Sequence, residues 1–275
     1  MSTVVGLRLA DGREVVVKAR PDEGRAASCV AAQAHLGERG LPCARPLTAV
    51  HRVGALAVHA EGLRPGGDVL AGDSPDVAAI YAEVFARLMA GLADLRVAPP
   101  LPNPRWARWD HADPGLWPAI DILDRRDQRA VQRHVIETAT RARARLLATA
   151  LPCVFGHADY EAQNLRWHGR EIWAVHDWDS LAWQPEAALV GAASGTFGSA
   201  GQPTLAPIDS SAAFIAEYEV CRGRAFTAEE LEVAWAASLW PAAHNARWEA
   251  LHGQAPLAGP ALRAQGPERL RRAGA

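Results

Sequence analysis

The segment GHADYEAQN, Gly156–Asn164, carries an aspartate, Asp159, five residues before the asparagine that ends it. The same triplet, HAD, occurs earlier at His111–Asp113, but the residue five places after that aspartate is Pro118. Proline has no side-chain oxygen or nitrogen that could act as a ligand or hydrogen-bond partner. We therefore interpret the earlier triplet as an ordinary loop and the later one as a candidate functional loop.

The chain that follows this loop supplies a second acidic position. The apolar runs LRW and IWAV are separated by a turn at Gly169, which predicts a β-hairpin, and Asp177 follows the second run. Kinases use this order of groups for phosphoryl transfer, with a base and a magnesium ligand in an Asp-x-x-x-x-Asn loop and a later Asp as a further ligand. The pattern predicts that Asp159 accepts a hydroxyl proton. It also predicts that Asn164 and Asp177 bind Mg²⁺ through hard oxygen ligands.

Two polar residues flank these positions. His157 precedes Asp159 by two residues, and we interpret it as a structural hydrogen-bonding residue of the loop. Asp179 follows Asp177 by two residues, and two interpretations stay open for it, a carboxylate on the metal side or a surface residue.

The same segment allows a different class of function, a metal-dependent hydrolase. The residues that would form its site are His157, Asp159, His168, His176 and Asp177. Zinc sites of helical type use a His-x-x-x-His pair, and these histidines lie instead on strand-like stretches. We therefore rank the hydrolase below phosphoryl transfer.

The beginning of the chain predicts a small lobe that mixes strands and a helix. VVGLRL and EVVVKAR surround an Asp-Gly turn, which indicates a β-hairpin with Lys18 on its second strand. An alanine-rich helix is predicted over 24–39, followed by two short strands in LTAV and ALAVHAEGL. RPGG, Arg64–Gly67, ends this region. A strand lysine in such a lobe contacts the phosphates of a nucleotide, and we predict that role for Lys18.

The rest of the chain is predicted to be mainly helical. Ser74-Pro75 is a start signal for a helix whose apolar residues recur every three or four positions up to Leu95, and a second long helix covers 131–147. Between them, 98–118 is a connection rich in proline and tryptophan that we expect to line an acceptor site or to pack. The last residues, PERLRRAGA, are predicted to be a frayed basic tail.

Composition excludes several classes of function. The net charge is −2 and the isoelectric point about 6.6, so bulk charge gives no indication of nucleic-acid or membrane-surface binding. We see neither a signal peptide nor an apolar run long enough to span a membrane. The four cysteines form no Cys-x-x-Cys pair, which favours reduced thiols and a cytoplasmic protein.

With these motifs, the sequence resembles the aminoglycoside phosphotransferase and choline kinase superfamily. Its usual catalytic loop is HGDxxxxN and its metal motif is D-W or D-F followed by an acidic residue, which correspond here to GHADYEAQN and VHDWDS. The resemblance implies an α+β, protein-kinase-like bilobal fold. It implies a β-rich nucleotide-binding lobe over 1–65 and a larger, mainly helical lobe over 66–275 with the catalytic loop and the acceptor site.

The resemblance also implies an activity. The protein is expected to transfer the γ-phosphate of ATP, with Mg²⁺, to a hydroxyl of a small molecule such as an aminoglycoside, an amino alcohol or a sugar. Asp159 would be the base, Asn164 and Asp177 the magnesium ligands, Lys18 the phosphate contact and His157 a structural residue of the loop.

The sequence departs from the family pattern at three points, of which the first, Ala158, should be tolerated and the other two lead to an alternative. Ala158 replaces the usual glycine of the loop, and the small lobe is expected to be truncated, without a first strand and its phosphate-covering loop. The family's helix glutamate, expected near Cys29, is missing from AASCVAAQ. Lys18 is therefore expected to have no ion-pair partner other than Glu23 as a weak substitute. On these grounds the alternative is a catalytically weak pseudokinase or nucleotide-binding module.

Overall fold

The computed structural model describes residues 3–99 and 101–275, so Met1 and Ser2 of the predicted small lobe and Pro100 of the predicted connection lie outside the described residues. Its strands are β1 (Thr3–Arg8), β2 (Glu14–Pro21), β3 (His51–Val53), β4 (Leu56–Gly62), β5 (Cys153–His157), β6 (Leu165–His168), β7 (Glu171–Val175) and β8 (Leu181–Pro185). Its helices are α1 (Ala26–Glu38), α2 (Pro75–Leu92), α3 (Asp121–Asp124), α4 (Arg133–Leu147), α5 (Glu186–Thr196), α6 (Ile208–Arg222), α7 (Ala228–Ala237), α8 (Trp240–His252) and α9 (Ala258–Arg272).

The small lobe consists of β1–β4 and α1. Its antiparallel sheet has the order β1-β2-β4-β3, and Gly12, at φ +86°, makes the turn of the predicted hairpin. LTAV does not form the predicted third strand. The third strand begins at His51 instead, and the amide groups of Leu47 and Thr48 donate to the carbonyl of Ala60.

The large lobe consists of α2–α9 and β5–β8, so the predicted mixed fold with a small sheet and a larger helical part is confirmed. Ser74 caps α2, as the sequence indicated, by accepting a hydrogen bond from the amide of Val77 at 3.4 Å. Packing is closest between α5 and α7, where a Cβ on Gly191 would meet the carbonyl oxygen of Ala234 at 2.0 Å. Glycine at this position therefore permits the two helices to touch.

The predicted frayed tail is wrong. Residues up to Arg272 belong to α9, and Arg269 is fully buried, where it donates to Ser238, Ser211 and the carbonyl of Ala206. The run of arginines suggested solvent exposure, but the hydrogen-bond partners of Arg269 come from distant parts of the chain. None of the described helices is both long and apolar enough to cross a membrane.

Two pairs of short antiparallel strands carry the segments of the candidate site. β5 pairs with β8 and β6 pairs with β7, which turns at Gly169 as predicted. The candidate loop runs from the end of β5 to the start of β6, and Asp177 lies between β7 and β8. Both chemical segments therefore leave the ends of paired strands in the large lobe.

Candidate active site

The candidate loop turns without the usual glycine. The amide of Ala158 donates to the carbonyl of Ser180 at 2.8 Å, which joins the loop to the segment after Asp177. Within residues 3–99 and 101–275, Asp177 is the only non-glycine residue with a positive φ. Ala158 thus has a backbone conformation open to any L-residue, and the alanine causes no strain there.

Asn164 is held directly against Asp159. Its side-chain Nδ2 donates to Asp159 Oδ2 at 2.8 Å and to the Asp159 carbonyl at 2.9 Å. Its backbone carbonyl accepts from the amide of His176 at 2.8 Å. Asn164 therefore links the loop to the residue before Asp177, and its amide oxygen is left to face another partner.

Asp177 occupies a left-handed turn, with φ 57° and ψ 49°. Ser180 holds it there, because its hydroxyl donates to Asp177 Oδ2 at 2.8 Å and its amide donates to the Asp177 carbonyl at 3.0 Å. Aspartate tolerates this conformation better than most residues, and such conformations are concentrated at functional sites. The turn brings the two carboxylates close enough to interact.

That interaction is visible in the ionisation of Asp159. Burial raises its pKa and the charge of Asp177 raises it further, while His157 and the hydrogen bond from Asn164 oppose the increase. Two carboxylates in one partly buried place repel each other unless a proton or a cation lies between them. The charge of Asp177 near Asp159 therefore favours a proton or a cation beside the pair.

His157 holds the backbone of the loop through both of its ring nitrogens. It is 1% exposed, its Nε2 lies 2.9 Å from the carbonyl of His176, and its Nδ1 accepts from the amide of Asp159 at 3.3 Å. The neutral tautomer with the proton on Nε2 satisfies both contacts. With both ring nitrogens used by the backbone, His157 has none left for a metal.

Glu161 is a further carboxyl group of the loop that the sequence interpretation missed. It is buried, and its Oε2 accepts from Gln163 Nε2 at 2.7 Å. Burial raises its pKa well above the ordinary range, and the charges of Asp159 and Asp177 add to this. Its position two residues after Asp159 was the available signal, but burial was not readable from the loop sequence.

Lys18 has an ion-pair partner, so the expectation that it lacks one is wrong. Its Nζ lies 2.9 Å from Oε1 of Glu61 on β4, and the side chain of Lys18 is 13% exposed and that of Glu61 4%. Glu23 pairs instead with Arg105 at 3.3 Å. The partner was missed because it follows from the register of β2 and β4, in which Lys18 lies opposite His59, two residues before Glu61 on the same face. The sequence did contain a signal that Lys18 has a specific role, because Lys18 is the only lysine in the sequence.

Asp179 lies between the lobes. Its carboxylate pairs with Arg20 of β2, and its backbone carbonyl accepts from Arg25, which also donates to the carbonyl of Leu181 at 3.3 Å. Arg20 is 7% exposed, so this contact excludes water. The turn that carries Asp177 is thus fixed to the small lobe on one side and to β8 on the other.

Positive charge surrounds the backbone between Asn164 and Asp177. Burial lowers the pKa of His176, and the charges of Arg166, Lys18 and Arg64 lower it further. Lys18 and Arg64 belong to the small lobe and Arg166 to the large lobe; Arg64 and Arg166 also donate to the backbone carbonyls of Trp173 and Gln163. Positive charge from both lobes therefore acts on this part of the site, and positive charge suits an anion such as a phosphate group.

The structure does not assemble the hydrolase cluster. His168 is exposed and packs on Trp173, with ring centroids 4.7 Å apart. Residues 3–99 and 101–275 contain no group of three or more His, Cys, Asp or Glu side chains arranged to hold a metal. A site built on several such ligands is therefore not supported.

The side chains of the earlier HAD triplet form hydrogen bonds within their own loop. Nε2 of His111 lies 3.1 Å from the carbonyl of Leu116, and Asp113 accepts from the amide of Ala119 at 2.9 Å. Arg143 donates to the carbonyls of Trp109 and His111 at 2.7 and 3.0 Å. Both polar side chains of the triplet thus act locally.

The connection after α2 borders two cavities. A cleft of about 470 Å³ separates it from the start of α1, and its charged lining residues are Asp22, Glu23, Arg25, Arg105, Arg108 and Asp113. Beside Ala158, the side chains of Trp106, Trp109 and Trp240 enclose a void of about 10 Å³, the space of a single water. The tryptophans therefore pack against the loop, and the polar cleft is the larger open space.

Comparisons with known proteins agree with this architecture. The phosphotransferase enzyme family model matches residues 3–229, whereas no curated protein matches the sequence. An amicoumacin kinase solved with AMP-PNP and Ca²⁺ is 11% identical, with a TM-score of 0.67 over 98% of this chain and 86% of its own. A putative aminoglycoside phosphotransferase from Ralstonia eutropha is 18% identical, with a TM-score of 0.55 and coverage of 100% and 93%. A choline/ethanolamine kinase family protein from Mesorhizobium loti is 18% identical, with a TM-score of 0.51 and coverage of 98% and 87%.

Proposed function

The chain belongs to the phosphotransferase enzyme family and is a kinase-type enzyme for hydroxyl acceptors; from this premise we propose that it transfers the γ-phosphate of ATP to a small molecule. The acceptor class is an aminoglycoside, an amino alcohol or a sugar. The proposal includes a cytoplasmic location, a nucleotide-binding lobe over 1–65 and an acceptor-binding, helical lobe over 66–275.

The observation that carries this proposal is the convergence of Asp159, Asn164 and Asp177. Asn164 holds the Asp159 carboxylate at 2.8 Å, and the charge of Asp177 acts on the same carboxylate. Asp159 is the base that takes the proton of the acceptor hydroxyl. Its raised pKa favours this role, because a base is most effective when its pKa is close to the working pH.

Asn164 and Asp177 are the residues that would hold Mg²⁺. The fit rests on the chemistry of the donors, since the amide oxygen of Asn164 and the second carboxylate oxygen of Asp177 are hard ligands. The repulsion between Asp159 and Asp177 favours a cation there. When bound, the ion neutralises phosphate charge. Ser180 keeps Asp177 turned toward the site, and His157 keeps the loop backbone in place.

The cations of the site are suited to the donor nucleotide. Lys18 contacts the phosphates from the small lobe, and Arg64 and Arg166 add positive charge near His176. The amicoumacin kinase, similar in fold, was solved with the ATP analogue AMP-PNP. We assign the acceptor to the large lobe and the cleft beside 101–119, where charged groups of both signs face a polar molecule.

The test compares Asp159 with an exposed aspartate that does not line the cleft. Asp159→Asn and Asp121→Asn are assayed with ATP and Mg²⁺ against a panel of aminoglycosides, amino alcohols and sugars. We expect Asp159→Asn to lose turnover by about 10²–10⁴-fold, the usual contribution of a positioned base, and Asp121→Asn, on the exposed α3, to keep it. Turnover by Asp159→Asn near that of the wild type would show that Asp159 is not the base.

The pseudokinase alternative has lost one of its grounds. It rested partly on a Lys18 without a partner, and Lys18 is paired with Glu61. Binding of ATP to the wild type without phosphate transfer to any acceptor of the panel would favour it.

A further inference from the structure

The carboxylate of Glu61 is fixed on both of its oxygens. Oε1 lies 2.9 Å from Lys18 Nζ, and Oε2 accepts from Gln33 Nε2 at 2.9 Å. Glu61 is 3% exposed, and Gln33 is 2% exposed. A carboxylate held at both ends in a buried place has one orientation, and so has the ammonium that it binds.

Helix α1 contributes a neutral amide to this group. Gln33 donates through Nε2 to the carbonyl of Ala44 at 2.7 Å as well as to Glu61, so its own position is set by the backbone that follows α1. The acid that pairs with Lys18 is therefore supplied by β4, which is hydrogen-bonded to β2 along its length. Both members of the ion pair belong to one sheet.

Glu61 is ionised over the whole range of ordinary pH. Burial acts to raise its pKa, but the nearby His59, Lys18 and Gln33 outweigh that effect and lower the pKa to about 2. Nε2 of His59 lies 3.8 Å from Oε2, too far for a hydrogen bond, and both ring nitrogens of this buried histidine lack one. Lys18 is thus the cation in direct contact with Glu61.

We propose that Glu61 is the positioning residue that orients Lys18 toward the phosphates of the nucleotide, so that the sheet itself replaces the helix as the source of the orienting acid. This inference rests on the proposed function. Because β2 and β4 are hydrogen-bonded neighbours, the sheet itself holds Lys18 and Glu61 in register. Gln33 steadies the carboxylate and adds no charge. The lysine is then ready for the nucleotide before it binds.

The sole lysine of the chain makes its side chain directly measurable. Acylation of Lys18 by an amine-reactive ester is followed by mass spectrometry, with the α-amino group as internal reference. The rate is measured across concentrations of ATP with Mg²⁺ for the wild type, Glu61→Gln, Glu61→Asp and the exchange variant Glu61→Gln/Gln33→Glu. Glu14→Gln, which removes an exposed acid from the same strand β2, is the matched control.

We expect ATP with Mg²⁺ to protect Lys18 in the wild type and in Glu14→Gln. In Glu61→Gln the unprotected rate rises, and the half-protecting ATP concentration rises on the order of tenfold, because Lys18 is free to take other rotamers. The exchange variant places the acid on helix α1. Its half-protecting ATP concentration is expected to lie within about threefold of that of the wild type. Phosphate transfer is expected to follow the same order.

The outcomes separate this inference from the proposed function. Absence of protection in the wild type contradicts ATP use by this site. Protection that is equal in the wild type and in Glu61→Gln contradicts only the role of Glu61. If Glu61→Gln does not fold, Glu61→Asp gives the answer: it keeps the charge but shortens the side chain, and an unchanged half-protecting concentration overturns the inference.

Discussion

The two lobes hold their parts of the site by different means. In the large lobe, Asp159, Asn164 and Asp177 lie on the segments that join short strands, next to fully buried aromatic side chains, namely Tyr160, Trp167 and Trp178. In the small lobe, Lys18 is held by Glu61 within a sheet whose outer strand, β1, leaves its apolar side chains exposed. Packing and hydrogen bonds fix the first group, and charge pairing fixes the second.

This difference predicts how each lobe responds to change. Packed aromatic cores depend on shape, so added atoms are felt strongly and salt has little effect. A buried ion pair depends on both partners, because removal of one leaves the other charge uncompensated away from water. Added atoms should therefore lower the stability of the large lobe, and removal of one charged partner should disturb the ion pair of the small lobe.

The largest expected effect is that of Asp177→Asn. Asparagine tolerates the left-handed turn, so the fold is kept, but one negative charge of the proposed magnesium site is lost. We expect phosphate transfer to fall by about 10³-fold, since a bound metal contributes several kcal/mol to such a transition state. Steady-state assays check this, with Asp121→Asn on the exposed α3 as control. A loss below tenfold would argue against Asp177 as a ligand.

Next in size is Gly191→Ala in the tightest contact of the large lobe. The added Cβ meets the carbonyl oxygen of Ala234 at 2.0 Å, so α5 and α7 have to separate. We expect a loss of about 3 kcal/mol in the free energy of unfolding, measured with urea. Gly6→Ala in β1 is the counterpart in the small lobe, where a Cβ meets nothing within 4 Å. Equal losses in the two variants would remove the distinction between the lobes.

A pH effect distinguishes the lobes as well. Burial lowers the pKa of His244 in α8 to about 4, helped by the charge of Arg247. Below pH 6.5 His244 is protonated in the unfolded chain but stays neutral in the folded chain. Its contribution to stability is therefore complete above pH 6.5 and is lost as the pH falls toward 4. By pH 5 the loss is about 2 kcal/mol. Glu61, with its pKa lowered to about 2, keeps its contribution above pH 4.5 and loses it only as the pH falls toward 2.

His244→Leu checks the assignment of the upper window. The variant removes the titrating group together with Nδ1, which has no hydrogen-bond partner. Urea unfolding at pH 7 and pH 5 is expected to show a loss of stability on acidification that is about 2 kcal/mol greater in the wild type than in the variant, which keeps all the other titrating groups. An equal change in the wild type and in the variant would contradict the role of His244.

The smallest expected effect is that of Ser180→Ala. It removes the hydroxyl that donates to Asp177 Oδ2 at 2.8 Å while the turn's backbone hydrogen bond remains. A single hydrogen bond contributes about 1 kcal/mol, so we expect a fall of about fivefold in kcat and little change in stability. Ser210→Ala, a buried serine of α6 distant in sequence, is the control. Unchanged kcat in Ser180→Ala would mean that the backbone alone fixes the turn.

Local features were predictable from the sequence because they depend on short spacings. The hairpin around Gly12 and the cap at Ser74 follow from residues within a few positions of one another, and Asp159, Asn164 and Asp177 flank a single short hairpin, β6–β7. The Lys18 partner did not, since Glu61 is adjacent only through the pairing of β2 with β4. The burial of Arg269 and of Glu161 likewise depends on contacts between distant segments, and composition alone suggested exposure.

The contacts of Arg20 and Arg25 with Asp179 have a mechanical consequence. They lie at the junction of the lobes, two residues from Asp177, and thus serve as a pivot. Any rotation that widens the gap between the lobes has to pull on this turn or break its ion pair. Opening of the gap between the lobes is therefore coupled to the conformation of the Asp177 turn. A nucleotide that enters by such a rotation would meet this turn in an altered conformation.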